Sequence, residues 1–317
     1  MTDDITLRVN NVTKRFGDFT AVDDLSFNVR RGRVFGFLGP NGAGKTTTIR
    51  MIVGITAPDS GVIEYDFLKD KRQETRDERL TPSGSDFQDR IGYLPEERGL
   101  YKKLKIVDQL RYFAALKDVP AKEADKRIDF WLDRMGLAEW KLKKTSDLSK
   151  GMQQKIQFIS TVLHDPDLLI LDEPFSGLDP VNVEFMIDVL SEFRTKDKTV
   201  IFSTHQMETA ERLCSDILLI NKAQKVIGGS LRQVKESYGR NLIALRAANV
   251  NGVLDDRSLV ARVVEHADES EVQLADGADS QVLLKRLIDA GATVTKFEQI
   301  EPSLNDIFID AVSDQQT

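Results

Sequence analysis

The sequence predicts an α/β protein with a mainly parallel sheet, antiparallel strands near its N-terminus, a helical subdomain and a small α+β domain at its C-terminus. Three observations support this prediction. Short apolar runs alternate with helical patterns over residues 1–235, which is typical of a parallel sheet covered by helices. The pattern of apolar residues then changes after Arg240. Acidic residues are also concentrated there, since residues 241–317 hold 14 Asp and Glu against 6 Lys and Arg, a net charge of −8.

The elements of the first domain follow from the spacing of its apolar residues. Residues 5–35 alternate like strands, and residues 34–38 form an apolar run that predicts a buried strand with a helix after it. Residues 64–90 are strongly charged and predict a surface insertion, helical first and then a loop. Two helices are expected within residues 106–137, with Pro120 between them. Further buried strands are predicted at residues 91–95, 168–171, 199–202 and 217–220.

The second domain, residues 241–317, predicts alternating strands and helices without a motif for chemistry. Ser280 and Ser303 are the expected N-caps of its two helices, because a serine hydroxyl accepts a free backbone N–H at a helix start. The expected strands are residues 241–245, 271–274 and 292–297.

Composition excludes several classes of function. With 41% hydrophobic and 30% charged residues, the 317-residue chain can bury a substantial core. Its net charge of −7 argues against a nucleic-acid partner. The single cysteine, Cys214, allows no internal disulfide and fits a reducing compartment. The acidic N-terminus predicts no signal peptide, and no run of about 18 apolar residues predicts a membrane span.

A glycine-rich motif after the strand at residues 34–38 carries the chemistry. It fits the pattern G-x-x-x-x-G-K-[ST], in which backbone N–H groups and the next helix dipole face phosphates. Lys45 is expected to reach the β- and γ-phosphates, and the Thr46 hydroxyl to hold Mg²⁺. An ordinary glycine turn is the alternative, but all the fixed positions match. The motif consists of Gly39, Pro40, Asn41, Gly42, Ala43, Gly44, Lys45, Thr46 and Thr47.

Two acids end the predicted strand at residues 168–171. Asp172 is suited to hold Mg²⁺ beside the glycine-rich motif, and Glu173 to act as general base toward the attacking water. Two solvated acids at a strand end are the alternative, which the upstream phosphate motif disfavours. His205 ends another strand and is expected to contact a γ-phosphate.

A second candidate motif spans residues 148–154. Ser149 is a good helix N-cap, and Gly151 allows close approach of the backbone to an anion. An ordinary capped helix is the alternative for this segment taken alone.

Taken together, these motifs make the chain resemble the ATP-binding subunits of ABC transporters over residues 5–230. The resemblance rests on the P-loop, the signature-like residues 148–152, the Walker B pair Asp172 and Glu173, the D-loop ending at Asp179, and the switch residue His205. It implies a P-loop NTPase core with a helical subdomain at about residues 104–150, ATP and Mg²⁺ as cofactors, and ATP hydrolysis. It also implies that Phe16 stacks on adenine.

The chain departs from the usual family sequence at two places. Lys150 and Met152 alter the Leu-Ser-Gly-Gly-Gln signature, although Ser149 and Gly151 remain. Glu96 replaces the usual glutamine and can still reach Mg²⁺ or water, but its charge differs. Both departures, with the ending at residues 301–308, are similar to the exporter-type group that includes sodium and drug or antibiotic export ATPases.

The resemblance also implies partners and a location. Two subunits, either two copies of this chain or this chain and a homologue, would share two ATP sites, with Ser149 and Gly151 acting across the interface. A separate integral-membrane permease is expected, with this subunit at the cytoplasmic face of the membrane. Three other hypotheses are weaker. A DNA-repair ATPase would carry long coiled coils, a translation-associated ATPase two cassettes in one chain, and a non-catalytic nucleotide sensor would not need Glu173 and His205.

Overall fold

The structure is a computed structural model, and it describes residues 4–66, 85–97, 99–195, 197–238 and 242–314. The chain divides into two units, Met1–Ser230 and Leu231–Thr317. The insertion predicted at residues 64–90 falls mostly on residues 67–84, which lie outside the described part of the chain.

The first unit is built on two sheets. Its strands are β1 (Ile5–Phe16), β2 (Phe19–Arg30), β3 (Val34–Leu38), β4 (Ser60–Tyr65), β5 (Ile91–Leu94), β6 (Leu168–Asp172), β7 (Thr199–Thr204), β8 (Asp216–Asn221) and β9 (Gln224–Ser230). The larger sheet has the order β5-β6-β7-β3-β8-β9, and only the β8–β9 pair is antiparallel. Every residue of β3, β6 and β7 is buried, because both faces of this sheet are covered, one of them in part by the smaller sheet.

The smaller sheet has the order β2-β1-β4 and is antiparallel throughout. Its inner face shares one apolar core with β3 and the helix that follows β3. Phe27 of β2 stacks on Phe35 and Phe37 of β3, with ring centroids 5.5 and 5.7 Å apart. The mainly parallel sheet and the antiparallel N-terminal strands are therefore confirmed.

The helices of the first unit include three that pack against one another, α3, α4 and α5. Pro120 precedes the first residue of α4, where its missing N–H costs nothing. Ser149 caps α5, since its Oγ accepts the N–H of Met152 at 3.2 Å. The helices are α1 (Lys45–Ile52), α2 (Ser85–Arg90), α3 (Ile106–Ala115), α4 (Ala121–Arg134), α5 (Lys150–Val162), α6 (Pro180–Thr195) and α7 (Met207–Leu213).

The second unit has an antiparallel sheet in the order β11-β12-β10-β13. The sequence missed β11, whose register against β12 shifts between Val260 and Arg262 and so breaks the alternation expected of a strand. Helix α9 is capped by Asp279 rather than by Ser280, whereas Ser303 caps α10 as expected. The elements are α8 (Leu231–Tyr238), β10 (Leu242–Ala248), β11 (Val260–Glu265), β12 (Ser270–Leu274), α9 (Ser280–Asp289), β13 (Thr293–Ile300) and α10 (Leu304–Asp314).

Helix α8 belongs to the second unit because it contacts α10. The sequence pattern predicts that the first domain ends at residue 235, which lies within this helix. A boundary inside an amphipathic helix is not visible from periodicity, since the apolar face alone does not say which core buries it.

Candidate functional site

The loop between β3 and α1 can be formed only with glycines at particular positions. Gly39 and Gly44 have φ angles of 150° and 109°. A Cβ atom would lie 2.3 Å from the Ile220 carbonyl oxygen at Gly39, and 2.4 Å from the Ala21 carbonyl oxygen at Gly44. These contacts are with backbone atoms that cannot move aside, so the sequence requires glycine at both positions.

Lys45 folds back over this loop. Its Nζ donates hydrogen bonds to the carbonyl oxygens of Gly39 at 2.8 Å and Pro40 at 3.2 Å. The side chain is nearly buried, and the same Nζ lies 3.5 Å from Glu173 Oε1. A fixed positive charge is therefore present at the mouth of the loop, where an anion would be neutralised.

The parallel register brings the acidic residues to the same edge of the sheet. Strands β3, β6 and β7 run side by side, so their carboxyl ends meet beside the loop. Asp172 ends β6 and pairs in register with Ser203 of β7, and His205 follows β7 directly.

Asp172 is fully buried and only partly satisfied. Its Oδ1 accepts a hydrogen bond from Ser203 Oγ. Among the described residues, no donor meets both the distance and the angle of a hydrogen bond to its Oδ2. Burial raises the pKa of Asp172, and the hydroxyls of Ser203 and Thr46 act in the opposite direction. A buried carboxylate oxygen without a partner, next to the Thr46 hydroxyl, provides the hard oxygen donors that Mg²⁺ prefers.

Glu173 has a left-handed backbone, with φ of 49°. This conformation costs a non-glycine residue about 1–2 kcal/mol. Its N–H donates to Ser203 Oγ at 3.0 Å, and its Oε1 lies 3.0 Å from His205 Nδ1. The turn thus aims a carboxylate at Lys45 and His205 and leaves only 7% of the residue exposed.

Lys45, Thr46 and Glu173 line a cleft with a volume of about 310 Å³. Glu96 lines it from the loop after β5, and that loop is held by Gln157 of α5. The Gln157 Nε2 donates to the carbonyl oxygens of Pro95 at 3.1 Å and Glu97 at 3.2 Å, one on each side of Glu96. The cleft is lined by Phe19, Ala21, Asn41, Gly42, Gly44, Lys45, Thr46, Thr47, Glu96 and Glu173.

Some residues predicted for the site are not among those that line the cleft. Phe16 is exposed at the β1–β2 turn, with Lys14 Nζ 5.5 Å from its ring centroid. Its cross-strand partner Phe19 lines the cleft instead. Ala43, within the glycine-rich loop, is buried and packs into the core.

Ser149, Gly151 and Asp179 form a separate group, away from the cleft lining. A Cβ atom at Gly151 would lie 3.6 Å from the Gly177 carbonyl oxygen, an ordinary contact, so the chain's own packing does not require glycine there. Asp179 accepts the N–H of Asn182 at 3.0 Å, which lowers the pKa of this aspartate and caps α6.

Sequence reasoning missed Ser203, Gln157 and Phe19. Ser203 had a detectable signal, because a small polar residue in the otherwise apolar run before Thr204 and His205 is unusual in a buried strand. The roles of Gln157 and Phe19 had none, since each depends on being close to residues that are distant in sequence.

Among the residues that the structure describes, no helix is both long and apolar enough to cross a membrane.

Known proteins resemble this chain along most of its length. The sequence pattern of the ABC transporter family matches residues 22–176, and that of the DrrA1-3-like ATP-binding protein C-terminal domain matches residues 229–312. The chain is 42% identical to the ABC transporter ATP-binding protein YhaQ of Bacillus subtilis (strain 168), over 96% of this chain and 98% of YhaQ.

Two further proteins each match about three quarters of this chain. The chain is 34% identical to the Nod factor export ATP-binding protein I of Ralstonia nicotianae, over 76% of this chain and 74% of that protein. A solved structure of the ATP binding subunit of an ABC transporter superposes with a TM-score of 0.65 at 28% identity, covering 74% of this chain and 93% of that one.

Proposed function

Since this chain belongs to the ATP-binding subunits of ABC transporters, which hydrolyse ATP to power transport through a separate permease, we propose that it drives export by ATP hydrolysis in the cleft described above. The observation that carries the proposal is the convergence of Lys45 and His205 on one oxygen of Glu173 at the glycine-rich loop: Lys45 Nζ lies 3.5 Å and His205 Nδ1 lies 3.0 Å from Glu173 Oε1. The match to a DrrA1-3-like C-terminal domain and the Nod factor export relative support the outward direction.

The reaction needs little covalent chemistry from the protein. A water oxygen attacks the γ-phosphorus, and the bond to the β–γ bridging oxygen breaks, so ADP leaves with that electron pair. Glu173 accepts a proton from the water, and His205 Nδ1, 3.0 Å away, holds the carboxylate in place. Lys45 and the loop N–H groups stabilise the charge that develops on the phosphate oxygens.

Mg²⁺ fits the donors at the base of the cleft. Thr46 and Asp172 would hold it, with Glu96 contacting it or its water from the opposite loop. When bound, it neutralises charge on the β- and γ-phosphates. On the adenine side, Phe16 is proposed to stack on the base, with its partner Phe19 forming the adjoining wall of the cleft.

A second subunit is proposed to complete each site. Ser149 and Gly151 lie outside the cleft lining of their own chain. Gly151 is in the first turn of α5, where a backbone N–H has no partner within the helix and can bind an anion held by another chain. Asp179, beside them, would take part in the same interface. The second subunit is a copy of this chain or a homologue. ATP between the two subunits closes the dimer, and hydrolysis reopens it.

The permease is proposed to contact an apolar groove next to the cleft, at the cytoplasmic face of the membrane. The groove has a volume of about 320 Å³, and its apolar walls include Val53, Ile55, Phe113 and Leu116. An amphipathic helix from a cytoplasmic loop of the permease suits such a surface. Pro95 lines the groove, and its neighbour Glu96 lines the cleft. A partner bound in the groove would therefore change the position of Glu96 next to the nucleotide.

The test is ATP hydrolysis by the purified full-length chain. We expect Mg²⁺-dependent phosphate release, and we expect Lys45→Ala to weaken ATP binding about 10-fold or more, since a charge-assisted hydrogen bond contributes about 1.5–3 kcal/mol. Calorimetric titration with ATP measures the affinity. Unchanged affinity of Lys45→Ala, or no hydrolysis by the wild-type chain alone or with its permease, would contradict the proposal.

A further inference from the structure

Ser203 contacts both acidic residues at the end of β6, Asp172 and Glu173, although it is itself uncharged. It lies beside Asp172 in the parallel register of β6 and β7, and it is fully buried. Its Oγ donates to Asp172 Oδ1 and accepts the N–H of Glu173 at 3.0 Å. One hydroxyl therefore joins the carboxylate of one acid to the backbone of the next.

We propose that Ser203 is a positioning residue for ATP hydrolysis, which holds the Asp172 carboxylate and the Glu173 backbone in their working arrangement. This inference rests on the proposed function. Ser203 does not line the cleft, so it acts through the two acids and not on the nucleotide.

The backbone of Glu173 shows why such support is needed. Its φ of 49° is uncommon for a non-glycine residue and persists only where neighbouring groups hold it. The only hydrogen bond of its N–H among the described residues is the one to Ser203. Without that acceptor the turn can relax, and the carboxylate would leave its position 3.0 Å from His205 Nδ1 and 3.5 Å from Lys45 Nζ.

At Asp172, the hydroxyl determines which oxygen remains available. An ionised carboxylate only accepts hydrogen bonds, so Ser203 donates its hydrogen to Oδ1 and uses a lone pair for Glu173. Oδ2 is then left for a cation next to Thr46. Groups that orient a metal ligand in this way contribute to both metal affinity and activity.

The experiment compares three full-length variants with the wild type. Ser203→Ala should lower kcat about 10–100-fold, and should raise by about 10-fold the Mg²⁺ concentration that half-saturates enhanced binding of a fluorescent ATP analogue. Binding without Mg²⁺ should not change, because the glycine-rich loop is intact. Ser203→Thr keeps the hydroxyl and should restore both quantities. If the threonine does not fit and the variant fails to fold, Ser203→Cys, a weaker donor, should fall between alanine and wild type.

Thr199→Val is the matched control. Thr199 begins the same strand, is equally buried, and accepts the N–H of Gly32 at 3.1 Å, but it lies at the opposite end from the cleft. Its loss should lower thermal stability and leave kcat and the Mg²⁺ requirement unchanged. The inference is overturned if Ser203→Ala behaves like Thr199→Val. A wild-type chain without ATPase activity would instead refute the proposed function, and the Mg²⁺ titration of nucleotide binding would still decide the role of Ser203.

Discussion

Glu173 and Lys45 face each other across a gap of 3.5 Å, and the two side chains have opposite tasks in the proposed reaction. The lysine neutralises phosphate, whereas the glutamate must take a proton from water. Because both side chains are almost completely buried, removing either one would leave the other without its ion-pair partner.

Replacing Glu173 separates binding from chemistry. Glu173→Gln keeps the size and the hydrogen bond to His205 but removes the proton acceptor. We expect ATP binding to be retained and turnover to fall about 10²–10⁴-fold, the range for loss of a general base. Single-turnover phosphate release and ATP titration measure the two effects. A variant that hydrolyses ATP at the wild-type rate would show that another group takes the proton.

His164 was expected to be structural, and its contacts agree with that. Its Nε2 donates to the Ile91 carbonyl oxygen at 3.0 Å, and burial lowers its pKa to about 4. In the unfolded chain the pKa is about 6.5, so between these values the unfolded state binds more protons than the folded one. The contribution of neutral His164 to the free energy of unfolding is therefore fully present above a pH of about 6.5, and it is lost as the pH falls toward 4.

When the pH falls from 7 to 5, we expect the free energy of unfolding of the first unit to drop by about 1–2 kcal/mol more in the wild type than in a His164→Gln variant. Glutamine keeps a donor for the Ile91 carbonyl without the titration. Urea unfolding followed by tryptophan fluorescence measures this, since Trp131 and Trp140 both lie in the first unit. Equal losses in both proteins would mean that other groups carry the pH dependence.

At the scale of elements, α5 connects the separate parts of the site. Its N-terminus is capped by Ser149, and further along Gln154 donates to the Pro174 carbonyl oxygen at 3.3 Å. Gln157 holds the loop that carries Glu96, and Gln157 also lines the apolar groove. One helix thus reaches the signature-like segment, the turn after Glu173 and the Glu96 loop.

Gln157→Leu should loosen the Glu96 loop without changing the size of the side chain greatly. The carbonyl groups of Pro95 and Glu97 lose their donor, so we expect a loss of about 1–3 kcal/mol in stability. Hydrogen exchange at residues 94–97 should become faster. Ser160→Ala is the control, because Ser160 lines the same groove but its hydroxyl donates to the Gln157 carbonyl oxygen within α5 and not to the Glu96 loop. Equal hydrogen-exchange rates at residues 94–97 in both variants would show that Gln157 does not hold the Glu96 loop.

At the scale of the whole molecule, the site residues fall into two groups on one chain. The cleft holds Lys45, Thr46 and Glu173, while Ser149 and Gly151 lie elsewhere in the first unit. If both groups bind the same nucleotide, they must come from different chains.

Glu173→Gln with Mg²⁺ and ATP should therefore form a particle of twice the 35.7 kDa of one chain. Light scattering after size-exclusion chromatography measures the mass. Adding Gly151→Asp should return it to one chain, because a carboxylate there repels phosphate across the interface, while ATP binding by the chain's own cleft remains. A dimer that persists in the double variant would place the interface elsewhere.

Motifs and local patterns in the sequence were enough to predict the phosphate-binding loop, the two acids and most strands and helices of the first unit. The glycine-rich loop, the Walker B pair and the parallel sheet depend on contiguous residues, whose spacing and burial are local properties. For the same reason Pro120 and Ser149 marked helix starts correctly.

Only the tertiary structure decided which residues share the cleft. Ser203 meets Asp172 because of a strand register, and Gln157 clamps a loop some 60 residues away in sequence. Phe19 lines the cleft because the fold brings the β1–β2 turn next to the glycine-rich loop and to Glu173. The strand β11 and the place of α8 also depended on packing. Register and packing arise from contacts between distant segments, and no local pattern of residues encodes those contacts uniquely.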